Sequence, residues 1–93
     1  MAIIWSSKAR EDRKLIFDRI EADNPLAADA LDEKFSAKLI QAERNPLMYR
    51  VGKVSGTREI PVTSNYIIIY EVTKDNDIDV MRIMHTKQLW PPV

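Results

Sequence analysis

The apolar run from Asn65 to Val72 constrains the fold more than any other stretch of this chain. It reads Asn-Tyr-Ile-Ile-Ile-Tyr-Glu-Val, and six of its eight residues are β-branched or aromatic, the side chains that pack best on a pleated surface. Successive residues of a strand point to opposite faces, and this run is apolar on both of them. The sequence therefore predicts a central strand of a sheet that is covered on both sides.

Two helices are predicted ahead of this strand. The Ser6-Ser7 pair precedes a charged run and predicts a helix N-cap, and the helix is expected to continue to about Ala22. Asn24-Pro25 predicts a second start, since proline is well tolerated at the first helical position. That helix is expected to end near Arg44, ahead of another proline. With so short a connection, the helices are expected to form an antiparallel hairpin.

Short strands are predicted on either side of the hairpin and of the central strand. Residues 2–5 are apolar and β-prone, residues 57–62 alternate, and residues 78–85 form another strand after a polar turn. Pro61 cannot donate to a ladder, which predicts a sheet edge or a bulge there. Residues 46–55 could hold a brief strand or a surface loop, and we predict a loop. The predicted order is β-α-α-β-β-β, an α+β fold with an N-terminal strand, a helical hairpin and a three-stranded antiparallel meander.

Composition limits the classes of function. A chain of 93 residues is expected to be a single domain over 1–93. It contains no cysteine and one histidine, so we expect no disulfide, no metal site and no cofactor. No apolar run approaches the roughly 18 residues of a membrane helix. The apolar residues 2–5 are too few for the hydrophobic region of a secretory signal, so none is expected. We therefore expect a cytoplasmic protein without a membrane partner.

The charges are unevenly distributed although the net charge is zero. Residues 44–58 carry four basic and no acidic side chains. Tyr49 and the distant Trp90 are the only aromatic residues that could interleave with these cations, so a solvated basic face is favoured over a nucleic-acid groove.

Short motifs are spread along almost the whole chain: Trp5 with the following Ser6-x-x-Ala9, Asn24-Pro25-x-Ala27-Ala28, Asn45-Pro46, Gly56-Thr57-Arg58-Glu59-Ile60, Asn65 to Val72, and His85-Thr86-Lys87-Gln88-Leu89-Trp90-Pro91. Taken in this order, they resemble the RelE/ParE superfamily of toxins from bacterial type II toxin–antitoxin systems, and most closely the ParE or plasmid-stabilisation type. The resemblance implies the fold predicted above, together with a cognate antitoxin that binds and neutralises the toxin.

Two mechanisms are known in this superfamily. RelE-like members cut messenger RNA on the ribosome, whereas ParE-like members bind and inhibit DNA gyrase. In the cutting branch an arginine commonly follows the first tyrosine of the central strand, and here that residue is Ile67. An isoleucine cannot stabilise the charge that develops on a phosphate under attack. The resemblance therefore implies a gyrase-binding toxin without catalytic residues, with a ribosome-dependent endoribonuclease and a non-toxic binding module as alternatives.

Candidate site residues follow from the same comparison. If the chain is a ribonuclease, His85 is the candidate general acid, with Arg58 and Arg82 as cationic clamps. Each has a structural alternative: His85 bonded to the backbone at a strand end, Arg58 anchoring the fold, and Arg82 paired and half-buried on the side of Ile78 and Val80. If the chain binds a protein target, the candidate contacts are Arg58, His85, Lys87 and Trp90.

The antitoxin is expected to lie in a groove between the helices and the sheet. The segment of the antitoxin that binds there would be disordered alone and would become ordered on binding. The candidate contacts are Leu26, Ala30 and Lys34 on the second helix, and Ile67 and Ile69 on the central strand.

Overall fold

A computed structural model of the chain describes residues 2–88 and contains two helices and five strands. Within these residues no helix is both long and apolar enough to cross a membrane. In chain order the elements are β1 (Ile3–Trp5), α1 (Ser7–Glu21), α2 (Pro25–Arg44), β2 (Arg50–Val51), β3 (Thr57–Pro61), β4 (Tyr66–Val72) and β5 (Ile78–His85).

Both helices begin at the predicted caps. The Ser6 hydroxyl accepts a hydrogen bond from the backbone N–H of Ala9 at 3.0 Å, which satisfies a donor that the first helical turn leaves unpaired. The Asn24 side chain accepts in the same way from Ala27 at 3.1 Å, and Pro25 follows at the start of α2. The predicted helical hairpin is confirmed, because α1 and α2 pack against each other across a short turn.

The sheet has the strand order β1-β5-β4-β3-β2, so β4 lies at its centre. Neighbouring strands are antiparallel except for β1, which runs parallel to β5. The predicted α+β fold and its antiparallel meander of β3, β4 and β5 are confirmed. Ile68 and Ile69 point to opposite faces of β4 and both are fully buried, which confirms a central strand covered on both sides.

The main core lies between the helices and one face of the sheet. Ile16 of α1 and the α2 residues Phe35 and Leu39 pack with Ile60 and Ile68 of the central strands. Each buried aliphatic or aromatic side chain contributes about 1.5–3 kcal/mol to folding. This core attaches the hairpin to the sheet and determines which side chains at the two ends of β4 remain accessible.

One strand lies inside the segment predicted to be loop. β2 pairs Arg50 with Glu59, and their side chains form an ion pair at 3.1 Å. Gly52 allows this pairing, because a Cβ at that position would overlap the Thr57 hydroxyl. The loop prediction is wrong here, because a two-residue strand depends on its partner rather than on its own pattern. Pro61 lies beyond the residues that β2 pairs, as expected for a proline at an open edge.

A register shift in β5 changes the predicted orientation of Arg82. Tyr70 pairs with Val80 but Ile69 pairs with Arg82, which leaves Met81 as an extra residue. Ile83 therefore continues the buried series begun by Ile78 and Val80 and is itself only 2% exposed. The prediction that Arg82 shares the side of Ile78 and Val80 is wrong, because simple alternation does not survive a bulge.

Candidate functional surfaces at the two ends of the central strand

Tyr66 and Tyr70 mark the two ends of β4 on the face that the helices cover. Tyr66 lies opposite His85 of β5, and Tyr70 lies opposite Arg58 of β3. The two tyrosines are four residues apart, which is about 13 Å along a strand at roughly 3.3 Å per residue. We refer to the region of Tyr66, His85 and Lys87 as the Tyr66 end, and to the region of Tyr70, Arg58 and residues 45–51 as the Tyr70 end.

The Tyr66 end contains an open cavity of about 310 Å³. Polar and basic side chains form much of its lining, among them Arg19, His85, Lys87 and Gln88. The Tyr66 ring meets the His85 ring edge to face, with centroids 5.3 Å apart and an interplanar angle of 75°. His85 and Lys87, two of the predicted target contacts, are therefore brought together, and Arg19 joins them from α1.

His85 is tied to the backbone at the end of β5. Nδ1 of the His85 ring accepts a hydrogen bond from the backbone N–H of Lys87 at 3.1 Å. The backbone N–H of His85 donates to Oε1 of the Gln88 side chain at 2.6 Å. When neutral, the ring therefore carries its proton on Nε2. The structural interpretation of His85, as a residue that bonds the backbone at a strand end, is confirmed by this geometry.

Arg82 is held by a carboxylate on the neighbouring helix. Its Nε donates to Asp12 at 2.7 Å and its Nη2 at 3.1 Å, and Asp12 also accepts from the backbone N–H of Ile83 at 3.1 Å. The side chains of Arg82 and Asp12 are 16% and 10% exposed. The hydrogen bond to Asp12 raises the pKa of Arg82. The guanidinium is thus a paired, half-buried group that links α1 to β5, which is the structural alternative given for Arg82 in the sequence analysis.

At the Tyr70 end, polar side chains hold the connection between α2 and β2. Nη1 of Arg58 donates to the carbonyl of Tyr49 at 2.7 Å and, at 3.4 Å, to that of Leu47. The Tyr70 hydroxyl donates to the carbonyl of Pro46. Burial raises the pKa of Tyr70, and the nearby Arg58 guanidinium offsets part of this rise. Arg58 is therefore a fold-anchoring residue, and its charge is directed at carbonyl oxygens of its own chain.

The connection held in this way exposes three apolar side chains. Leu47 is 67% exposed, Met48 is 53% exposed and Val51 is 68% exposed. Val51 lies opposite Arg58 in the ladder and therefore shares its face of the sheet, and Arg58 reaches the Leu47 carbonyl. We call Leu47, Met48 and Val51 the apolar platform. These residues were not predicted from the sequence to be a functional surface. The available signal was that they are apolar side chains in a segment predicted to be loop, where exposure to solvent is expected.

The three candidate ribonuclease residues are not gathered into one site. Arg58 is at the Tyr70 end and His85 is at the Tyr66 end, while Arg82 is hydrogen-bonded to Asp12, which also lines the Tyr66 cavity. Trp90, the fourth predicted target contact, lies outside the described residues. Across residues 2–88, no three His, Asp or Glu side chains come close enough to hold a metal ion.

The predicted antitoxin contacts differ in accessibility. Leu26, Ala30 and Lys34 are exposed at four-residue spacing, which places them on one face of α2. Ile67 is half-buried and Ile69 is fully buried, so Ile69 offers no surface in this conformation.

A second groove of about 450 Å³ lies beside Trp5, where β1 meets the helical hairpin. Arg13 stacks its guanidinium over the Trp5 ring at 4.8 Å and pairs with Asp32 at 2.6 Å. Arg10, Lys14 and Phe17 complete its lining, so the groove combines aromatic surface with positive charge.

Comparison with known proteins identifies a family over almost the full length of the chain. The family model described as the ParE toxin of the type II toxin–antitoxin system parDE matches residues 3–90. Y4kP, a candidate toxin of Sinorhizobium fredii, is 29% identical over 92 residues, which cover 98% of this chain and 94% of that protein.

Solved structures with the same fold come from several bacteria. A chain of the chromosomal ParDE toxin–antitoxin system from P. aeruginosa superposes with a TM-score of 0.81 at 20% identity, covering 94% of this chain and 97% of its own. The YoeB/ParE toxin from Agrobacterium tumefaciens gives 0.69 at 17% identity, with coverage of 91% and 98%. A chain of the RelBE2 toxin–antitoxin complex from Mycobacterium tuberculosis gives 0.62 at 17% identity, with coverage of 90% and 95%.

Proposed function

We propose, from the premise that the chain belongs to the ParE toxin family of type II toxin–antitoxin systems, that it inhibits DNA gyrase by binding it and is neutralised by a cognate antitoxin. It would act as a protein ligand of gyrase and not as an enzyme. A plasmid-stabilisation role is part of the same proposal.

The proposal rests mainly on one observation: two arginines that could be catalytic cations are already hydrogen-bonded to groups of the protein itself. Arg82 bonds Asp12, and Arg58 bonds the carbonyls of Leu47 and Tyr49. Cleavage of a phosphodiester requires preorganised positive charge directed at the phosphate. Each of these arginines would first have to break its hydrogen bonds within the protein. Ile67 adds no charge on the central strand. These features support binding over cutting.

An antitoxin partner is supported by the relatives and by the groove beside Trp5. Similar chains occur in the ParDE toxin–antitoxin system of P. aeruginosa and in the RelBE2 toxin–antitoxin complex. The groove offers the aromatic surface of Trp5 and Phe17 together with Arg10, while Arg13 and Lys14 are paired with Asp32 and Asp18. This lining suits a segment that carries mainly apolar side chains. Such a segment would lie between the hairpin and the N-terminal strand.

A gyrase supercoiling assay tests the proposal directly. Purified toxin is titrated into gyrase with relaxed plasmid and ATP, and loss of supercoiling or accumulation of cleaved plasmid is measured. Addition of the cognate antitoxin should restore supercoiling. Absence of any effect at saturating toxin would exclude gyrase as the target.

The open cavity at the Tyr66 end favours one alternative function, a ribosome-dependent endoribonuclease. There, the Nε2 proton of His85, with Arg19 and Lys87 beside it, could act as a general acid in a basic setting. This alternative predicts messenger RNA cuts in a translation extract that are abolished by His85→Ala or Arg82→Ala. If induced expression neither stops supercoiling, cuts messenger RNA nor slows growth, the chain is a non-toxic binding module.

A further inference from the structure

We infer that the apolar platform, Leu47, Met48 and Val51, is the main contact surface for the target, and that it inserts into an acidic cleft of that folded protein. This inference rests on the proposed function, in which the target is DNA gyrase. It differs from the sequence-based prediction, which assigned target contact to Arg58, His85, Lys87 and Trp90.

Exposed apolar surface is the first argument. Stable protein interfaces are centred on a few apolar anchors that are removed from water, while peripheral charges contribute little. Leu47, Met48 and Val51 are each more than half exposed and lie within five residues of one another. Clustered apolar exposure of this kind marks an interaction surface more often than scattered apolar residues do.

The rigidity of the platform is the second argument. Three side-chain hydrogen bonds from Arg58 and Tyr70 hold the carbonyls of residues 46, 47 and 49. Gly52 adds a backbone bond to Thr57 at 2.8 Å, so the platform is fixed from both sides. A surface that is already ordered loses less conformational entropy on binding. Arg58 is thus a positioning residue for the contact surface and does not itself need to touch the target.

Charge determines the class of partner. The segment from Arg44 to Arg58, which contains the platform, has four basic and no acidic residues. Arg44 and Lys53 are exposed on either side of the platform in the sequence, whereas Arg50 is paired with Glu59 and Arg58 donates to backbone carbonyls. A second copy of this chain would bring two such segments together and would be repelled, whereas an acidic surface is attracted. The partner is therefore acidic where it meets the platform.

Shape determines that the partner is folded. The Tyr66 cavity and the Trp5 groove are concave and can receive a narrow segment, but neither is lined by any platform residue. Leu47 and Met48 lie in the turn after α2 and Val51 lies in β2, and all three side chains are more than half exposed. Exposed anchor side chains fit into a preformed cleft, so the surface that binds the platform belongs to a folded protein. The groove beside Trp5 is left for the disordered segment of the antitoxin.

The test compares variants in the gyrase supercoiling assay. The double variant Leu47→Ser/Val51→Thr removes two anchors and keeps β-branching in β2, and its half-inhibitory concentration should rise roughly tenfold or more. Ile4→Thr, which changes an exposed isoleucine on β1, should stay within about twofold of the unaltered toxin. Thermal unfolding of all three proteins checks that each is folded at the assay temperature.

A charge pair tests the acidic cleft separately. Lys53→Glu should weaken inhibition several-fold, whereas Lys74→Glu, at another exposed lysine in the turn after β4, should not. If the unaltered toxin inhibits gyrase and the double variant inhibits equally well, the platform is not the contact surface. If Lys53→Glu strengthens inhibition, the partner is not acidic. If the unaltered toxin has no effect on gyrase, the proposed function itself fails, and this inference fails with it.

Discussion

The two ends of the central strand use similar residues for different purposes. At each end a tyrosine of β4 lies opposite a residue that can carry positive charge, His85 beside Tyr66 and Arg58 beside Tyr70. At the Tyr66 end the basic side chains line an open cavity. At the Tyr70 end the cation and the phenol are directed at backbone carbonyls and fix a connection. The bonding partners of a cation, rather than its presence, therefore decide whether it is available to a ligand.

Arg58→Ala is expected to have the largest effect on stability. The variant removes a charged donor from the carbonyls of Tyr49 and Leu47, and hydrogen bonds of charged groups contribute about 1.5–3 kcal/mol. We expect the free energy of unfolding to fall by about 2 kcal/mol in urea titrations. Gyrase inhibition should weaken as well, because the platform loses its anchor. A loss below about 0.5 kcal/mol would mean that Arg58 does not hold the connection.

Tyr70→Phe and Tyr66→Phe form a matched pair that compares the two ends directly. Tyr70→Phe leaves the partly buried Pro46 carbonyl without its donor and should cost about 1 kcal/mol. Within residues 2–88 the Tyr66 hydroxyl has no comparable bond to a backbone carbonyl, so Tyr66→Phe should cost less than about 0.5 kcal/mol. Chemical denaturation measures both changes, and equal costs would contradict the contrast between the ends.

The difference between the unaltered protein and Tyr70→Phe should depend on pH. Burial raises the pKa of Tyr70, so the phenol ionises more easily in the unfolded chain than in the folded one. The stability that the neutral phenol contributes is fully present below the unfolded value of about 10 and is lost as the pH rises through the higher folded value. Unfolding at pH 8 and near pH 11 should therefore show a smaller advantage over Tyr70→Phe at the higher pH. If the difference in free energy of unfolding is the same at both pH values, the Tyr70 phenol does not have a raised pKa in the folded protein.

Variants of the Tyr66 cavity should have the smallest effect on stability. Arg19 and Lys87 are exposed, so Arg19→Ala and Lys87→Ala should each change the free energy of unfolding by less than about 0.5 kcal/mol. If the platform carries target binding, their half-inhibitory concentrations in the gyrase assay should change by about twofold or less. A loss as large as that of the platform double variant would instead support the sequence-based assignment of Lys87 as a target contact.

Much of the fold was predictable because its determinants are local. Ser6 and Asn24-Pro25 begin the helices where capping chemistry predicts, and the apolar run of β4 requires cover on both faces. β2 and the bulge at Met81 were not predictable from pattern, because each depends on the register of a neighbouring strand. The candidate site was only partly predictable, because a sequence identifies Arg58, Arg82 and His85 as chemically capable without identifying what they bond.

The helical hairpin, the buried central strand, the order of all elements except β2 and the family follow from periodicity, caps and short motifs in the sequence. The tertiary structure alone decided that Arg82 pairs with Asp12, which is 70 residues away in the chain, that Arg58 and Tyr70 hold the connection after α2, and that Leu47, Met48 and Val51 face solvent. The physical reason is that a side chain's partner and exposure depend on which distant segments folding brings beside it.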